Sequence, residues 1–257
     1  MNTAHPHILI TNDADASLPT VAELRAAVEQ PGPRQTLWES VRLAADSALK
    51  APPITSFDRL PGRADEDVRL GNRDYVIVNA AGLRVVGAAL AALLTQDRAY
   101  VDCALRQMES LFDATQWEEW QDIFHRQRFD LDADLRTGQL ARDLGMAWDW
   151  MHPLLTADER RWVVEGIDRC AIQPYLRAVA ADAWWVQRMN NWTTVIVGGL
   201  GMCGMALGDA QAQSAQLVDM SRDVMLQYMN HYGPEGEFNE NPSYANSSFL
   251  PVLYFSA

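Results

Sequence analysis

From Tyr75 onward, apolar residues recur at steps of three and four, the spacing that lays a stripe of side chains along one face of an α-helix. "RAYVDCALRQMESLFD" places Val101, Leu105, Met108 and Leu111 on such a stripe, and "LRTGQLARDLGMAWDWMHPLL" does the same with Leu140, Leu144, Ala147 and Met151. "AQSAQLVDMSRDVMLQYMNHY" adds Leu217, Met220, Val224 and Tyr228, while "VNAAGLRVVGAALAALLT" is apolar on most faces and is expected to lie deep. In "LLTADERRW", Thr156 and Glu159 have the spacing of a capping box, in which hydroxyl and carboxylate satisfy orphan backbone donors reciprocally. No hairpin alternation or βαβ rhythm interrupts these stretches, so the pattern predicts an all-α chain of stacked antiparallel helical hairpins.

Upstream the rhythm differs. Residues 1–60 carry Pro6, Pro19, Pro31, Pro33, Pro52 and Pro53, with one helical stretch expected around Trp38 to Lys50. This reads as an N-terminal arm laid on a larger body that spans residues 61–257.

One segment admits two readings. In "NNWTTVIVGGLGMCGMALGD", Gly199, Gly201 and Gly204 spell the G-x-G-x-x-G of a dinucleotide-binding turn. That motif needs a second strand carrying an acid about 20 residues on, and the sequence there is helical in pattern. The alternative is one helix from about Asn190 to Leu207, capped by Asn190 or Asn191. Gly198, Gly201 and Gly204 would each cost about 1 kcal/mol of helix propensity. Close approach of a neighbouring helix is the expected compensation.

Composition narrows the partners. The formal charge is −13, from 21 basic and 34 acidic residues, which argues against a general nucleic-acid or anionic-membrane surface. A polyanionic ligand would need a locally basic groove. Cys103, Cys170 and Cys203 lie far apart in apolar contexts and are expected as buried reduced thiols. No basic n-region with a long apolar run opens the chain, and no stretch reaches the uninterrupted apolar length of a membrane span. As written, the expected location is the cytoplasm; a start further upstream would make it periplasmic or secreted. The apolar "SSFLPVLYFSA" still reads as a helix when it stops at Ala257, so a longer natural chain is expected.

Three motifs, in order along the chain, resemble those of the heparinase II/III-like and alginate-lyase-type polysaccharide lyases. "LGMAWDWMHPLLTADERRW" resembles their "LA-x-AYDWL…LT-x-x-ER" helix pair, and "RMNNWTTVIVGGLGMCGMALGD" resembles "R-x-NNW…GGLG…AL-x-D". "YGPEGEFNENPSYANSSFLPVLYF" is similar to the "Y-x-PDG-x-x-x-EGP-x-Y" loop and its following helix. The resemblance covers most of the chain and implies an incomplete (α/α) toroid, normally followed by a β-sandwich domain that this sequence lacks. It departs from the family at Asn241, where a Gly is usual, and at Ala245, Asn246 and Ser247, which follow the tyrosine.

The resemblance implies cleavage of a uronate-containing acidic polysaccharide by β-elimination, with loss of the C5 proton beside a carboxylate and expulsion of the glycosidic oxygen from C4. Asn191 matches the family's carboxylate-neutralising asparagine, whose amide NH₂ suits developing negative charge. Tyr244 matches the catalytic tyrosine: its phenol can protonate the leaving oxygen, and as phenolate it can take the C5 proton. With a reference pKa of about 10, the second role needs nearby positive charge. Glu240 matches a loop glutamate expected to orient its neighbours, and Asn190 is expected to cap while Asn191 serves substrate.

Arg188 is a candidate partner for a uronate carboxylate, and His125, beside Arg126 and Arg128, is a candidate lining residue of a basic groove. Among the nine tryptophans, Trp192 and Trp185 are the candidates for stacking on sugar rings, with Trp184 as the alternative within the pair. No metal-ligand spacing such as H-E-x-x-H is present, so no cofactor or metal is expected in this chain. In the family a structural metal and a second catalytic histidine come from the missing sandwich. Two other functions fit the same residues: a glycoside hydrolase using Glu237 and Glu240, or a non-catalytic glycan-binding fragment.

Overall fold

A computed structural model describes residues 4–56, 73–117, 120–237, 240 and 242–256. The expected boundary between residues 60 and 61 and the Asn241 position lie outside these residues, as do the side chains of Ala245, Asn246 and Ser247. The described chain is all-α: α-helices joined by short turns, with one isolated bridge between Thr11 and Thr20 and no strand.

The arm holds two helices rather than one. α1 (Val21–Glu29) starts at Thr20, whose hydroxyl accepts from the Glu23 N–H while the Glu23 carboxylate accepts from the Thr20 N–H. α2 (Pro33–Lys50) has Pro33 in its first turn, where the missing N–H costs nothing. α3 (Arg73–Thr95) buries Ala81, Val85, Ala88 and Ala92 but leaves Leu83 exposed, so its depth is one-sided. α4 (Arg98–Phe112) carries the expected stripe, with Val101, Met108 and Leu111 fully buried.

Beyond the short α5 (Ile123–Phe129), α6 (Leu135–Met151) is the central rod: Leu140, Leu144, Ala147 and Met151 are fully buried. α7 (Ala157–Ile167) begins on the Thr156–Glu159 capping box. It runs through a π-helical turn, Asp168–Ile172, into α8 (Gln173–Ala180), and the wider turn accommodates Pro174, which has no N–H for an ordinary helical bond. α9 (Trp184–Gln187), α10 (Asn191–Leu207), α11 (Ser214–Met229) and α12 (Pro242–Ser256) complete the order. α10 lies against α6, α11 and α12, and α6 also packs on α3.

The G-x-G-x-x-G stretch is helix throughout, capped by the Asn190 side chain and ended at Gly208, whose φ of 49° favours a residue without a side chain. The glycines are contact points. A Cβ at Gly199 would lie 2.1 Å from the Gly138 carbonyl oxygen, and one at Gly201 would meet the Ser221 side chain. Two stretches are long and apolar enough to cross a bilayer, Val76–Thr95 in α3 and Asn191–Ala210, which comprises α10 and the turn after it, and most of each is buried inside the fold. All three cysteines are free thiols, Cys103 and Cys203 buried as expected and Cys170 only half-buried; burial raises each pKa, that of Cys203 to about 12.

Candidate active site

Asn190 and Asn191 divide the labour that their positions suggest. The Asn190 side-chain oxygen accepts from the Trp192 N–H at 3.0 Å, filling the cap of α10. Asn191, the first helical residue, is thereby released from capping. Its backbone N–H donates to Glu240 Oε2 at 2.7 Å and its side-chain NH₂ donates to Glu240 Oε1 at 2.5 Å.

Glu240 therefore holds Asn191 with both oxygens. The Ser248 hydroxyl lies 3.2 Å from Glu240 Oε2 and 2.8 Å from the Tyr244 carbonyl oxygen, its single hydrogen shared between the two acceptors. One carboxylate thus ties the N-terminus of α10 to the first turns of α12, across 49 residues of chain from Asn191 to Glu240. A carboxyl group that holds two N–H donors and shares the Ser248 hydrogen is an anchor, and a general acid would have to surrender one of those bonds. Tyr244 itself is 47% exposed on α12, so its ring is open to solvent and to a ligand. Glu237, the other candidate acid, accepts from the Glu235 N–H and its backbone carbonyl accepts from Gly233, which commits it to its own turn.

Trp192 joins this group to a second one. Its ring lies 4.5 Å from His125, 4.8 Å from Trp184 and 6.0 Å from Phe129, centroid to centroid. Arg188 is exposed and sets its guanidinium 5.9 Å from the Trp184 ring centre, a cation–π distance. Its backbone is fixed by Thr193, whose hydroxyl donates to the Arg188 carbonyl. Trp185 is not part of this surface. It is fully buried, stacked on Tyr175 at 5.9 Å, and Trp184 occupies the place expected for it. Helical geometry explains the exchange: adjacent residues in one turn of α9 point about 100° apart, so only one of the pair can face the cleft.

His125 is oriented from below. Its Nδ1 is 2.9 Å from Asp134 Oδ2, and Asp134 is fully buried. That carboxylate also accepts from the Asp122 and Arg136 N–H groups at 2.8 Å each, and Asp134 caps α6 in a box with Thr137. Asp122 in turn pairs with buried Arg136 at 3.1 Å. With Nδ1 engaged by Asp134, Nε2 is the nitrogen that can meet a ligand. The sequence reading missed Asp134 and Ser248. D-x-x-T at the start of a helical pattern was a visible signal for the first; the second has none, because its role depends on where α12 docks.

A cavity of about 520 Å³ is lined by Trp117, Trp120, the arginines Arg126, Arg169 and Arg177, and the acids Asp130 and Asp132. Arg177 pairs with Asp132 at 3.3 Å and Arg169 donates to the Phe112 carbonyl at 2.9 Å. Three cations against two acids make this patch mildly basic on a strongly acidic chain. No family model matches the chain, and no curated protein matches it in sequence.

Proposed function

We propose that this chain is the helical catalytic part of a polysaccharide lyase that cleaves a uronate-containing acidic glycan by β-elimination. The observation that carries the reading is Glu240: it binds Asn191 through backbone and side chain and, through Ser248, the turn of α12 that holds Tyr244. Two residues named from separate motifs are thereby coupled by one carboxylate. In this reading the helices form an incomplete (α/α) toroid, and the arrangement of α6, α10, α11 and α12 around a common core is compatible with it.

The chemistry follows from the side chains. Asn191, aligned by Glu240, directs its remaining amide hydrogen toward the substrate carboxylate and stabilises the charge that develops on it as C5 loses its proton. Tyr244 as phenolate takes the C5 proton, and the phenol so formed gives that proton to the departing O4. The C4–O4 bond breaks as a C4=C5 double bond forms, so the products are an unsaturated uronate and a new chain end. Trp192 and Trp184 offer apolar ring faces to sugars, Arg188 offers a fork for a carboxylate, and His125 offers an oriented nitrogen. Glu240 positions Asn191 and does not itself exchange a proton.

The test is incubation with alginate, heparan sulfate, hyaluronan and related polymers while ultraviolet absorbance is followed. Wild type is expected to generate the unsaturated-uronate signal on one polymer, and Tyr244→Phe to abolish it. New reducing ends without that absorbance would replace elimination by hydrolysis. Retained binding of uronate oligomers with no turnover would make the chain a glycan-binding fragment. Equal signals from wild type and Tyr244→Phe would remove Tyr244 from the chemistry.

A further inference from the structure

Far from Glu240 in sequence, the arm meets the end of α6 in a cluster of ionisable groups that the proposed chemistry does not use. Asp149 is fully buried in the last turn of α6. Its oxygens accept from the His7 N–H at 3.0 and 3.2 Å and from the Ile8 N–H at 2.9 Å. The His5 ring approaches through Nδ1, 2.6 Å from Asp149 Oδ1. Among the described residues no lysine or arginine pairs with this carboxylate.

The decisive detail is the tautomer of His7. Its Nε2 lies 3.0 Å from the Met205 carbonyl oxygen, which can only accept, so Nε2 carries the hydrogen. In the neutral ring, Nδ1 then bears a lone pair. That atom is buried, makes no hydrogen bond, and sits 3.2 Å from Asp149 Oδ1. Two acceptors facing one another in a water-poor site repel unless a cation lies between them. A proton on Nδ1 would form a hydrogen bond, and the alignment for one is lacking. A metal ion displaced from the line joining the two atoms satisfies both.

One spacing already fits that solution, and the 2.6 Å between His5 Nδ1 and Asp149 Oδ1 is a hydrogen-bond distance that has to open for both atoms to reach a metal. Zinc bonds of about 2.0–2.1 Å in tetrahedral geometry separate neighbouring ligand atoms by about 3.3 Å, close to the 3.2 Å between His7 Nδ1 and Asp149 Oδ1. One ligand atom from each of His5, His7 and Asp149 lies within 4.8 Å of the others. A histidine ligand whose other ring N–H donates to a carbonyl is the usual outer-shell arrangement, and His7 with Met205 has it. The His5 ring is held from behind by His152, stacked at 3.9 Å, and edge-on by Trp148 at 5.1 Å.

We propose that His5, His7 and Asp149 bind one divalent transition-metal ion of the Zn²⁺ type through two imidazole nitrogens and a carboxylate oxygen, clamping the arm to α6 and, through Met205, to α10. On binding, the hydrogen leaves His5 Nδ1 and the neutral ring takes one up at Nε2, so the metal receives the Nδ1 lone pair with no net change in bound protons. Water completes the coordination.

The untagged full chain, stripped with a chelator, is titrated with Zn²⁺ against a chromophoric competitor, and separately with Co²⁺ for its visible spectrum. Expected are one equivalent of tight binding, a nitrogen-ligated Co²⁺ band, and a rise in melting temperature. His5→Gln and His7→Gln should each weaken binding by at least about tenfold. His231→Gln, an exposed histidine elsewhere, should leave it intact. Wild type that takes up no equivalent, or binds no better than both His→Gln variants, overturns the site. If one variant fails to fold by circular dichroism, the other variant and the wild-type Co²⁺ spectrum decide.

Discussion

Replacing Gly199 by Ala tests why α10 carries so many glycines. The new Cβ would stand 2.1 Å from the Gly138 carbonyl oxygen and 3.0 Å from the Gly138 Cα, where ordinary contact begins near 3.4 Å. The obstacle is backbone on both sides, so no rotamer change relieves it. α6 and α10 would have to part by about 1.3 Å, loosening Leu140, Leu144, Ile196 and Leu200 together. Overpacking of this kind costs about 1–3 kcal/mol, and a clash between two backbones belongs at the top of that range. Alanine returns about 1 kcal/mol of helix propensity, leaving a net loss of about 2 kcal/mol. Gly87→Ala is the control: nothing lies within 4 Å of a Cβ there, so the same substitution in α3 should gain about 0.5–1 kcal/mol. Urea unfolding followed by far-ultraviolet circular dichroism reads both variants against wild type. A Gly199→Ala midpoint at or above wild type, or shifts of the same sign in the two variants, would refute the close-approach argument.

Glu240→Gln should be harmful despite its near-identical shape, because an amide presents one acceptor oxygen to the Asn191 N–H, the Asn191 NH₂ and the Ser248 hydroxyl and sets its own NH₂ against one of them. The expected cost is about 1–3 kcal/mol in urea unfolding, with at least about a tenfold loss in the ultraviolet elimination assay; unchanged activity would deny Glu240 its positioning role. Glu159 supplies a pH test. Hydrogen bonding and charge from Arg98, with the Thr156 cap, hold its carboxyl at about 2, below its ordinary 4.5. A depressed carboxylate pKa contributes stability above the unfolded value that is lost as pH falls from about 4.5 through about 2. With Arg98 46% exposed, solvent screening reduces the contribution to about 1 kcal/mol. Glu159→Gln should therefore cost about that much at neutral pH, with the gap from wild type shrinking by more than half near pH 3. A gap constant across that window would contradict the assignment.

The helical body was legible because its signals are local. The three- and four-residue steps located α4, α6 and α11, and the Thr156 box located the start of α7 to the residue. The same box, Thr20 with Glu23, stood in plain sight before α1, but the prolines around it suggested loop. Pro33 interrupts nothing, since it opens α2 rather than lying inside it. At the candidate site, Asn190 as cap followed from residue type; that Glu240 orients its neighbours came from the resemblance, and that the neighbour is Asn191 came only from the structure. Trp185 did not. Both tryptophans of the pair have the same chemistry, and only the rotation of α9 against Tyr175 buries the one and leaves the other facing Trp192.

What the sequence determined by itself is periodicity and capping: an all-α chain, its main helix boundaries, and a glycine segment that is helix rather than phosphate loop, because hydrogen bonds within a turn are written in neighbouring residues. What only the tertiary structure decided is juxtaposition. Glu240 reaches Asn191, Asp134 reaches His125, and Asp149 gathers His5 and His7 from the N-terminal arm. Those meetings arise where helices dock, and docking depends on the shapes of whole faces, which no local pattern encodes.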